Sequence, residues 1–106
     1  MSLNMAGPHM LQTDPSSACL QAAIAVELRH IAALLNQLAE VLVGDEHFAL
    51  HHIDQLQSFD LLVQYADENA SVLDRLAQGA DPHAAVARVR LTAIQDRLGA
   101  ALAKAA

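Results

Sequence analysis

Residues 14–44 read DPSSACLQAAIAVELRHIAALLNQLAEVLVG, and both ends of a helix are written in them. Asp14, Ser16 and Ser17 are residue types that cap helix N-termini, and Pro15 suits a first helical turn. Beyond them Leu20, Ile24, Leu28, Ile31, Leu35, Leu38 and Leu42 recur every three or four positions, the period of one apolar helix face. The stretch predicts a helix over about 15–43, with Gly44 as a left-handed stop.

Directly after it, Asp45-Glu46 places negative charge where a second helix would begin. A turn this short predicts that the second helix lies antiparallel beside the first. Phe48, Ile53, Leu56, Phe59, Val63, Ala66, Ala70 and Leu73 form its apolar arc over about 45–78, and Gly79 ends it. Asp81-Pro82 repeats the capping signal, and Val86, Val89, Leu91, Ile94, Leu98 and Leu102 mark a third helix over about 82–104. The fold class is therefore all-α: a long antiparallel helical hairpin plus a third helix. A hairpin so long and thin cannot cover its own apolar faces, so a further layer is required. Either the third helix packs on it to give a three-helix bundle, or two hairpins pair as a homodimer into a four-helix bundle. Residues 14–106 form a single helical domain. Residues 1–13 are set outside the fold as disordered or expression-derived, Gly7-Pro8-His9-Met10 having the look of a cloning scar.

Composition agrees. Of the 106 residues 54% are apolar and only 3% aromatic, so the core is built from Leu, Val, Ile and Ala and the helices pack closely. The net charge of −6 is uneven: residues 1–81 hold eleven acids against Arg29 and Arg75, whereas residues 82–106 hold Arg88, Arg90, Arg97 and Lys104 against Asp96. Such a body excludes nucleic acid as its partner. Cys19 is the single cysteine, which rules out an intrachain disulfide and points to a reducing compartment; the expected setting of this residue is a small buried one. The first residues lack a basic patch followed by an apolar run, and Glu27, Arg29 and His30 stand in the middle of the first helix. A cytoplasmic protein with no membrane span is expected.

At 100° per residue, Gln57, Asp60, Gln64, Asp67 and Ser71 form a polar stripe beside the apolar arc of the second helix. Asp60 and Gln64, at i and i+4, point the same way about one turn apart. An amide both donates and accepts hydrogen bonds without charge, so it can place a water in line with the phosphorus of an aspartyl phosphate on another protein. A carboxylate beside it can pair with a cation of that protein and fix the docking register.

The run Gln57-Ser58-Phe59-Asp60-Leu61-Leu62-Val63-Gln64 resembles the D-x-x-x-Q signature of CheZ-type phosphatases and the smaller CheT-like chemotaxis proteins. That family uses a helical hairpin, often paired as a four-helix bundle, to dephosphorylate the response regulator CheY. The resemblance implies that Gln64 orients the attacking water and that Asp60 contacts the regulator. Leu61 matches the leucine usual after the aspartate, and Gln57, Asp67 and Ser71 flank the contact. The reaction's Mg²⁺ would belong to the regulator, so the chain carries no cofactor of its own. Leu62 and Val63 replace small residues typical of CheZ and no acidic C-terminal capture peptide follows, so docking would differ. A noncatalytic scaffold on the same hairpin is the alternative.

Other groups are weaker. His47 and His51, with Glu46 nearby, lie one turn apart but lack further ligands for a metal. Glu27 and His30 share the E-x-x-H spacing of di-iron bundles without glutamates to complete the site. His30 also stands mid-helix as a phosphotransfer histidine would, with Ala33 and Leu34 where a lysine and glycine usually follow.

Overall fold

The computed structural model describes residues 14–105, so the 1–13 segment, expected to be disordered or expression-derived, lies outside the described residues. Those residues form five helices and no strand: α1 Pro15–Val43, α2 Glu46–His51, α3 Ile53–Ala77, α4 Pro82–Ala87 and α5 Thr92–Ala105. Helices α1 and α3 make the long hairpin, and α4 with α5 packs along α3.

Helix α1 starts as its sequence dictates. The Asp14 carboxylate accepts from the backbone N–H of Ser16 at 2.8 Å and of Ser17 at 3.1 Å, and from the Ser17 hydroxyl at 3.0 Å. These donors, the Ser17 N–H foremost, hold the Asp14 carboxyl below its usual range because each favours the charged form. Ala25 and Ala32 are buried against α3, and their small size lets the two backbones approach closely.

The end of α1 differs from expectation. Gly44 has φ −65°, not a left-handed angle, because the chain keeps turning the helical way and Asp45 immediately caps α2 by accepting from Phe48 N–H at 3.0 Å. Gly79 is left-handed as expected, at φ 95°. There Gly79 N–H donates to Leu76 O and Ala80 N–H to Arg75 O at 2.9 Å, the paired closure of a Schellman motif.

The second and third helices each run in two pieces, where periodicity predicted one. At His52 the backbone moves to φ −134°, ψ 36° while the imidazole stacks on Phe48 at 4.5 Å. Between α4 and α5, residues 88–91 leave the helix so that Val89 turns inward beside Val72, Ala85 and Ile94. The break is held by side chains. Arg75 donates twice to Ala85 O, at 2.9 and 3.1 Å, and the Gln95 amide donates to Ala87 O at 3.0 Å. Val86, Val89 and Thr92 are β-branched and lower the local preference for helix.

The molecule is elongated, 68 × 25 × 17 Å with a radius of gyration of 18.2 Å, against about 13 Å for a compact chain of this length. By length and composition alone, helix α1 is long and apolar enough to cross a membrane.

Candidate functional site

The C-terminal half of α3 is covered on two sides. Leu56, Phe59, Val63, Ala66, Ala70 and Leu73 run down the flank that meets α1, while Tyr65, Val72 and Leu76 meet α4, α5 and the segment joining them. The remaining flank carries the polar stripe. Gln57, Asp60, Gln64 and Asp67 are exposed, Leu61 is 42% exposed, and Ser71 is half-buried where α3 becomes better packed. Asp60 and Gln64 therefore stand beside each other on an open surface, separated along the axis by about 6 Å.

The D-x-x-x-Q spacing recurs at Asp74 and Gln78, and the surroundings separate the two pairs. Asp74 accepts from Arg29 Nη2 at 2.7 Å, which ties it to α1. Gln78 lies beyond the last residue of α3, at the cap. Of these two pairs, only Asp60 and Gln64 share one helical face with open space before them.

Below Gln64 lies a groove of about 340 Å³ lined by Gln64, Asp67, Glu68, Arg90 and Leu91. Its floor is a buried carboxylate, Glu68, paired with the exposed Arg90, which periodicity did not reveal. Glu68 is 5% exposed; its Oε1 accepts from Arg90 N–H at 2.8 Å and its Oε2 from Arg90 Nη2 at 2.9 Å and Nε at 3.1 Å. The Arg90 N–H, with the guanidinium behind it and Arg75 further off, holds the Glu68 carboxyl below its usual range against the opposing effect of burial. One signal was present in the sequence: Glu68 interrupts the apolar spacing of Tyr65, Val72 and Leu76, and a carboxylate placed in such a seam needs a cation or N–H groups to meet it. The Arg90 side chain stays 85% exposed, so the groove beside Gln64 presents an arginine to whatever enters.

The remaining candidates are not brought together. His51 Nδ1 is engaged by the His47 carbonyl at 2.8 Å, and among the described residues no three His, Cys, Asp or Glu side chains are grouped to hold a metal. Glu27 and His30 are both exposed on α1, where no facing helix supplies the glutamates of a di-iron site. Cys19 is exposed, not buried as expected, because its position in the first turns of α1 falls outside the face that meets α3. The chain matches no known family model, and no curated protein or solved structure matches it.

Proposed function

We propose that the protein docks a phosphorylated CheY-like response regulator against the polar flank of α3 and hastens loss of its aspartyl phosphate, as a CheZ-like protein of a cytoplasmic chemotaxis or two-component pathway. The observation that carries this reading is the exposed Asp60–Gln64 pair, at the spacing the family motif requires and unencumbered by internal bonds, whereas the second pair at the same spacing is tied up.

Gln64 accepts one hydrogen bond from a water and donates another toward the phosphoryl group, aligning the water with phosphorus. The water oxygen bonds to phosphorus as the bond to the regulator's carboxylate oxygen breaks. The carboxylate leaves with the electron pair, and inorganic phosphate keeps the water's protons. Asp60, an anion on the same face, pairs with a regulator cation and sets the register. The Mg²⁺ that neutralises the phosphoryl oxygens is the regulator's.

The test is the lifetime of the aspartyl phosphate on a CheY-like regulator with and without the protein. Gln64→Ala is expected to reduce the acceleration about 100-fold, as removal of one positioned polar group does, with binding retained. Asp60→Ala is expected to weaken binding as well. Binding without any change in phosphate lifetime would instead establish the scaffold reading.

A further inference from the structure

The groove below Gln64 holds a cation whose outward side meets no partner among the described residues. Arg90 carries five N–H donors on its guanidinium, of which Glu68 Oε2 takes two, from Nε at 3.1 Å and Nη2 at 2.9 Å, leaving three. Those three project away from Glu68, because the guanidinium is a rigid planar fork, and the side chain is 85% exposed. The backbone N–H of the same residue is bonded to Glu68 Oε1 at 2.8 Å, so the side chain is held at both ends. An exposed arginine ordinarily loses rotamer freedom when it binds an anion. This one has lost it on folding.

The position of the fork bears on what it meets. Glu68 stands one turn beyond Gln64 on α3, about 6 Å along the axis, and Gln64 and Arg90 line the same groove of about 340 Å³. A group set against the Gln64 amide therefore lies within reach of the guanidinium. Charge narrows the class of that group. Asp67 and Glu68 also line the groove, and Arg97 sits over the ring of Tyr65 at 5.6 Å, one residue along from Gln64. Two carboxylates thus balance two guanidinium groups, so there is no net positive charge to gather a free anion from solution. An anion that arrives with cations of its own meets no such barrier, because its oxygens face Arg90 while its cations face Asp60 and Asp67. A phosphoryl group on a protein, with the divalent ion that neutralises it, is such an anion.

We propose that Arg90 binds an oxygen of the partner's phosphoryl group through its outward N–H groups while Gln64 aligns the water. This deepens the reading of the Asp60–Gln64 flank given above and rests on it. Charge spread over the phosphoryl oxygens in the transition state strengthens these bonds, and the guanidinium stays protonated throughout. Arg90 thereby reads phosphorylation itself and not the partner's surface, and Glu68 is the positioning residue behind it.

The affinity of the intact chain for a CheY-like regulator, with and without beryllofluoride, tests the proposal. The wild type is expected to prefer the beryllofluoride form. Arg90→Ala is expected to cut that preference about tenfold by weakening binding of the activated form alone, a modest effect because the side chain is largely in water, and to lower the maximal dephosphorylation rate with it. Equal losses for both forms would make Arg90 a surface contact and overturn the proposal, as would no loss at all. If Arg90→Ala does not stay helical by circular dichroism, Arg90→Lys decides: it keeps a charge but not the fork, so a lowered preference is expected and an undiminished one overturns the proposal. A wild type that binds neither form, or both alike, overturns this inference and the reading beneath it together. Loss of the acceleration in Gln64→Ala beside an Arg90→Ala variant that keeps both preference and rate overturns this inference alone.

Discussion

Glu68 and Gln64 stand four residues apart on α3, yet one is sealed and the other open. The sealed one is structural. Its carboxylate binds the backbone N–H and the guanidinium of Arg90, and so pins the turn between α4 and α5 to α3. Glu68→Ala leaves that N–H without its partner and is expected to lower stability by about 1–3 kcal/mol. Arg90→Ala, losing a side chain largely in water, is expected to cost less, on the order of 1 kcal/mol. Urea unfolding of the two variants reads the difference. The pH dependence follows from the lowered Glu68 value: a carboxyl with a depressed folded-state pKa adds stability that is complete above its usual value of about 4.5 and is lost as the pH falls through the depressed one. Thermal melts from pH 7 downward are expected to show the wild type losing stability below about pH 4.5 more steeply than Glu68→Gln. Legibility at this scale was partial. Asp60 and Gln64 could be found because i, i+4 spacing is a local property. Arg90 could not, because its partner lies 22 residues away and only the fold joins them.

Two glycines close helices in different ways, and substitution separates them. Gly79 is at φ 95°, where a Cβ has free space around it but an unfavourable backbone; Gly79→Ala is expected to cost about 1–2 kcal/mol. At Gly44, with a helical φ of −65°, a Cβ would meet Val41 O at 3.3 Å. There the entropic gain of alanine and the tight contact oppose each other, and Gly44→Ala is expected to change stability by less than about 0.5 kcal/mol. Paired denaturant titrations check both. The caps at Asp14, Asp45 and Asp81 were readable, since capping is a matter of one side chain and the next three N–H groups. The breaks at His52 and at residues 88–91 were not. The first rests on the stacking of His52 on Phe48 and the second on Arg75, Gln95 and Glu68 reaching in from other turns, while the apolar spacing runs on through both.

Across the whole molecule the hairpin has two unlike sides. One carries Asp60, Gln64 and Asp67 with the Arg29–Asp74 pair; the other carries the exposed apolar seam of α1 through Leu20, Ile24, Ile31, Leu34 and Leu38. The need for another layer was legible, because helices of this length cannot shelter their own apolar faces. Which face stays open was not, because it depends on α4 and α5 packing on α3 and leaving α1's outer seam bare. The central claim is that the polar flank of α3 meets a phosphorylated partner. Its most direct test is the amide chemical-shift footprint of a CheY-like regulator, activated with beryllofluoride, on the isotope-labelled protein. The expected footprint centres on Gln57, Asp60, Leu61, Gln64 and Asp67 and fades with Asp60→Ala. A footprint confined to the α1 seam or to α5, or none at a regulator concentration of about 1 mM, would contradict the claim.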